Sequence, residues 1–112
     1  MSQPYSKMTL LSEEISLLGE LDVRGPLHVR GRLEGVIQGR AADWIEVHLS
    51  GQIFGKINSL GPVVISGRVV GDLISNAMVI LKPTATVYGN ITTRKLIIEP
   101  GAFFEGEIRR ME

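Results

Sequence analysis

The sequence predicts an all-β chain wound into a single-domain parallel β-helix, a solenoid of about six windings of 16–20 residues each. Three observations predict it. Glycines 19, 35, 55, 71, 89 and 106 recur at intervals of 16, 20, 16, 18 and 17 residues. Apolar side chains alternate strictly around each of these glycines. Glycine is abundant, 13 in 112 residues, while runs of helix-forming residues are few. A period of this length with strand-only content fits a coil that buries nothing alone and gains a core by stacking.

The elements follow from the register of each copy. Two places before the glycine stand Leu17, Leu33, Ile53, Val69, Val87 and Phe104, and two places after it stand Leu21, Ile37, Ile57, Leu73, Ile91 and Ile108. Alternation with period 2 over about ten residues is a strand with one buried face. Eight places before the glycine, Leu27, Val47, Val63, Leu81 and Ile98 are expected to form a further interior column. Four places before it the residue is small, Gly31, Gly51, Gly67, Ala85 and Ala102, with Ile15 of the first copy the departure. Small inward residues mark corners, where a larger side chain would collide with its neighbours. The stretches VRGP, QGRAAD, NSLGP, SNA and TTR carry the turn signals between copies, and the longest holds the single tryptophan, Trp44. An antiparallel sandwich would not require the same small residue at the same register in every copy. The expected organisation is a flexible tail over residues 1–12, a β-helix over 13–110 and a C-terminal end at 111–112.

Composition narrows the function. The chain is 44% hydrophobic but only 5% aromatic, so the core is aliphatic. Lys plus Arg and Asp plus Glu are 12 each, and no basic run forms a patch for nucleic acid. There is no cysteine, which excludes disulfides and thiolate metal sites. No apolar run reaches the length of a membrane span, and the N-terminus lacks the pattern of a signal peptide, so a cytoplasmic location is expected. No GxxxxGK[ST] loop, Ser-His-Asp set or close carboxylate pair is present, and no catalytic or cofactor-binding residue is expected.

The ends of the solenoid carry the functional signal. A stacked coil leaves interior side chains and main-chain groups open at both ends, and such edges recruit more strand unless capped. After Ile108 the sequence offers only RRME, too little for a cap, and the last copy places Phe103 and Phe104 where earlier copies have Thr86 and Val87. By alternation Phe104 points inward and Phe103 outward. End-to-end stacking of copies is the expected assembly, with Phe103, Phe104 and Ile108 at one end and Leu17 and Leu21 at the other.

The repeats LLGELDV, LEGVIQG, IFGKINS, VVGDLIS, VYGNITT and FEGEIRR, closed by LIIEPGAFFEG, resemble those of the bactofilins over about residues 15 to 110. The resemblance implies a right-handed β-helix that polymerises without nucleotide into bacterial cytoskeletal filaments. It implies non-polar filaments, with coils meeting head to head and tail to tail. It also implies scaffolding of cell-wall enzymes or cell shape, often at the inner membrane through a short N-terminal tail. An end-coil phenylalanine important for polymerisation matches Phe103 or Phe104, and alignment leaves both open. Many bactofilins carry long Pro-rich segments on both sides of the core; this chain has a short tail and almost no C-terminal extension, so docking through long tails is not expected.

Other features have plainer readings. His28 and His48 both lie seven before their glycines, which puts them on one outward ladder about 5 Å apart. The rest of that ladder is Val64, Lys82 and Glu99, and the expected answer is two surface histidines with no metal. Some stacked-coil enzymes do hold a metal between subunits, but they repeat six residues strictly, a register absent here. Phe54, Val70 and Tyr88 form an outward stripe on successive coils, with Ile80 and Ile97 a second apolar pair; both suit lateral or partner contacts. The tail carries Met1, Tyr5, Met8, Leu10 and Leu11 beside one cation, Lys7, a weak membrane contact that a filament would multiply. The alternatives to a homopolymer are an oligomeric stacked-coil enzyme and a monomeric binding module.

Overall fold

A computed structural model describes residues 9–111. The ten strands are β1 (Thr9–Leu11), β2 (Ser16–Val23), β3 (Leu27–Val29), β4 (Arg32–Gly39), β5 (Ile45–Val47), β6 (Gln52–Ser59), β7 (Val63–Ile65), β8 (Arg68–Leu81), β9 (Thr86–Ile98) and β10 (Phe103–Arg110). Every pairing between them is parallel. A parallel pair needs a crossover, and here the crossover is the rest of a coil. The chain therefore forms a β-helix of about six coils, each with a short strand, a corner and a long strand. β8 and β9 each run through two coils, with an irregularity in their pairing between Ser75 and Met78.

The long strands stack as the glycine spacing predicts. β2, β4, β6, β8, β9 and β10 pair in order, with Leu17, Leu33, Ile53, Val69, Val87 and Phe104 in one column and Leu21, Ile37, Ile57, Leu73, Ile91 and Ile108 in another. Away from the ends these side chains are fully buried. Each contributes on the order of 1.5–3 kcal/mol through removal of apolar surface from water.

Two glycines show what holds the register. Gly55 has φ +144°, a conformation that side chains disfavour, and a Cβ there would run into the Gly35 carbonyl oxygen of the coil before. The strand bends so tightly that one coil's main chain fills the space of the next coil's missing side chain. Gly67 is required by close approach instead, since a Cβ would meet the carbonyl oxygens of His48 and Gly51.

The short strands depart from the expected register. Counting back from the glycine places Val47 beside Leu27, but Leu27 pairs with Ile45, and Val47 pairs with Val29 and Ile65. The cause is the corner between short and long strand. Val29 and Arg32 pair with Val47 and Gln52, so the third coil has two more residues at this corner than the second. The outward ladder of the short strands is accordingly Leu10, His28, Glu46, Val64, Ile80 and Ile97. His48, Lys82 and Glu99 are not on it. The β-helix also starts earlier than the expected residue 13, because β1 pairs with β3 through Thr9–Leu27, Leu10–His28 and Leu11–Val29.

Three hydroxyl residues, Ser59, Ser75 and Thr93, are the buried polar side chains among the described residues. They occupy one register position at the exit of the long strand. Ser75 Oγ donates to the Gly61 carbonyl at 2.7 Å, and the main-chain N–H groups of Gly61 and Ala77 donate to Ser59 and Ser75 Oγ at 3.1 Å. The hydroxyls satisfy main-chain groups that turn away from the ladder, so burying them leaves nothing unpaired.

Candidate functional site

The two ends of the solenoid present opened columns of the core. At the first end Leu17 and Leu21 pack against the core but are only partly buried, while Leu33 and Ile37, one coil inward, are fully buried. Ile15 and Leu18 are exposed beside them, Leu18 at 81%. At the last end Phe104 packs partly buried on Val87, and Ile108 is 50% exposed where Ile91 beneath it is fully buried. Ile98 is exposed there as well.

The main chain repeats this picture. Among the described residues β2 pairs only with β4, and β10 only with β9. Each end strand therefore offers a row of N–H and C=O groups pointing along the solenoid axis, the template that a further parallel or antiparallel strand completes. A joint formed there would add a strand and close two apolar columns together.

Phe103 and Phe104 face different ways. Phe104 continues the interior column above Val87, whereas Phe103 pairs with Thr86 and turns to the outer surface. The Phe103 ring lies 5.5 Å from that of Tyr88, tilted at 55°. Phe104 belongs to the end face and Phe103 to the outer wall.

Tyr88 stands in register with Val70 and Phe54, so the expected stripe is continuous. Its residues are half-buried, and the chain covers part of the stripe itself. The Arg32 guanidinium lies 4.3 Å over the Phe54 ring, and that of Arg68 lies 5.6 Å from the Tyr88 ring. Such cation–π contacts cap the faces of exposed rings. Ile80 and Ile97 are paired neighbours, also half-buried.

Of the expected membrane-contact residues, Met1, Tyr5 and Met8 lie outside the described residues. Leu10 is 50% exposed on the outer wall, while Leu11 is 7% exposed and belongs to the core. Leu11 is thus removed from that set by its own pairing with Val29. No helix among the described residues is long and apolar enough to cross a membrane.

The histidines come together by a route that the glycine count does not reveal. His28 pairs directly with Glu46, and the longer corner after β5 folds His48 back toward His28. His28 Nδ1 lies 3.0 Å from His48 Nε2 and 3.4 Å from Glu46 Oε1. The two rings stack with centroids 5.2 Å apart. Sequence reasoning missed Glu46 because it aligned coils on the glycine; aligning the doublets Leu27/Val29 and Ile45/Val47 would have found it.

Fold and ends together define a structural class, a solenoid whose buried interior is wholly aliphatic apart from main-chain-bonded hydroxyls and whose distinctive surfaces are its termini. The family model for bactofilin, described as polymer-forming cytoskeletal, matches residues 9–109, and the chain belongs to that family. It is 29% identical over 100 residues to Bactofilin BacO of Myxococcus xanthus (strain DK1622), spanning 89% of this chain and 77% of that protein. No solved structure matches at a significant level. The resemblance carried by the repeats holds, and with it a role in the bacterial cytoskeleton.

Proposed function

We propose that this bactofilin is a scaffold subunit that polymerises without nucleotide by end-to-end stacking of its β-helices. One observation carries the reading: residues equivalent by register are buried in the middle coils and open to solvent at the two ends, Leu17 and Leu21 at one and Phe104 and Ile108 at the other. Stacking two ends removes this apolar surface from water and pairs the edge strands. Family resemblance supports non-polar filaments, head to head and tail to tail, with cell-wall or cell-shape machinery as the cargo. The outer stripe of Phe54, Val70 and Tyr88 and the pair Ile80 and Ile97 are the surfaces assigned to lateral or partner contacts. The residues before β1, together with Leu10 on the outer wall, are assigned to the inner membrane, where many weak contacts along a filament add up.

Negative-stain imaging of the purified chain, without nucleotide or added metal, tests the reading beside Phe104→Arg. Filaments in the wild type and single small particles in the variant are expected, because a charge at a joint that must close dry is strongly unfavourable. Discrete small oligomers in both would overturn it.

A further inference from the structure

We propose that His28, Glu46 and His48 form a binding site for a divalent transition metal of the zinc class, a clasp across the second and third coils. Three potential donor atoms lie together on the outer wall, all within 4.8 Å of one another. A single proton between His28 Nδ1 and His48 Nε2 can satisfy that pair, but Glu46 Oε1 approaches the same Nδ1. A cation bound among them would take one lone pair from each.

Two of the three distances match the ion, and the third, between His48 and Glu46, lies within 4.8 Å. Tetrahedral zinc holds nitrogen and oxygen ligands at about 2.0–2.2 Å, which sets neighbouring ligand atoms about 3.3 Å apart. The two contacts of His28 Nδ1 are 3.0 and 3.4 Å, so both lie within a few tenths of an ångström of that spacing.

The frame is already built. His28 is the middle residue of β3, Glu46 the middle residue of β5, and the two are paired partners. His48 follows β5 directly, with its N–H donating to the Val29 carbonyl at 2.8 Å and its carbonyl accepting from the Gly51 N–H at 2.8 Å. All three ligands thus stand on main chain held by hydrogen bonds. Along the ladder the site is flanked by Leu10 beyond His28 and by the buried Val64 beyond Glu46. Two imidazoles and one carboxylate select zinc, cobalt, nickel or copper over calcium and magnesium, which prefer all-oxygen sites. Three protein ligands leave one tetrahedral position for water. A metal bound there ties residues from different coils and stabilises the fold in proportion to its occupancy.

Calorimetric titration of zinc into the tag-free full chain tests the site beside His28→Gln, His48→Gln and Glu46→Gln. One zinc per chain is expected in the wild type. Affinity is expected to fall more than roughly a hundredfold in either histidine variant, since even an outer partner of a metal ligand is worth up to about that much. Glu46→Gln is expected to lose less. Cobalt is the second probe: visible d–d absorption of a tetrahedral ion is expected in the wild type alone. Metal-free circular dichroism separates a lost site from a lost fold, because these half-buried outer-wall side chains leave the core intact. No zinc bound by the wild type, zinc bound equally by both histidine variants, or calcium bound as tightly as zinc would each overturn the proposal.

Discussion

The middle coils and the end coils use the same residues for different purposes. Ile57 and Ile108 occupy one column of the long-strand ladder, yet Ile57 is fully buried and Ile108 is 50% exposed. Val69 and Phe104 share the other column, and again only the terminal one is open. A solenoid has no special interface residues in the usual sense. Its core repeats until it stops, and whatever stands at the last position becomes a contact surface. Stability therefore resides in the interior of the stack and assembly at its margins.

Substitutions can sharpen that contrast, beginning in the middle. Gly55→Ala is expected to cost about 4 kcal/mol or more, because it combines a disfavoured φ with a collision against the Gly35 main chain. Urea unfolding followed by circular dichroism reads the loss, and a near-native midpoint would show that adjacent coils separate easily. Ile57→Ala is expected to cost about 2–5 kcal/mol, the range for a large aliphatic removed from a packed core. Ile108→Ala, in the same column, is expected to cost under about 1.5 kcal/mol because half of its surface is already wet. Similar losses at the two positions would erase the distinction.

Smaller effects test the margin itself. Phe103→Arg is expected to leave filaments in place where Phe104→Arg removes them, since Phe103 packs on Tyr88 away from the end face. Sedimentation of the two variants at matched concentration decides between them. Arg40→Ala breaks a two-oxygen contact with Asp22 at 2.8 and 2.9 Å, in which the carboxylate holds the guanidinium pKa above its ordinary value. Both groups are about half exposed, and little change in the urea midpoint is expected because solvent screens the pair.

The long-strand ladder was legible because one residue marks it twice. At Gly35, Gly55, Gly71, Gly89 and Gly106 the conformation and the neighbouring carbonyl both demand glycine, so the letter recurs wherever the geometry does. The short strands have no such marker. Their corners differ in length, as Arg30–Gly31 against His48–Gly51 shows, and a count from the glycine slips by two residues. Interior and exterior stay correct under an even slip, which is why Leu27 and Val47 are both buried although they are not partners. Only the choice of partner on the next coil suffers: the two histidines do lie close together as expected, ring centroids 5.2 Å apart, but Glu46, the true strand partner of His28, was left out. The hydroxyl column of Ser59, Ser75 and Thr93 was hidden for another reason. Its role is to bond main chain at a bend, and short polar residues near turns are too common to stand out.

The connectors between coils bear on how the molecule responds to force. Hydrogen bonds between coils all run along the solenoid axis, so an axial pull loads them together, and the covalent chain tightens only after its slack is taken up. That slack is uneven. From β4 to β5 the chain passes through the loop from Arg40 to Trp44, whereas β8 and β9 cross to the next coil with almost no interruption. Two or three extended residues already span the roughly 5 Å between coils. The link between the second and third coils is therefore the loosest among the described residues, and an axial pull is expected to part the stack there first.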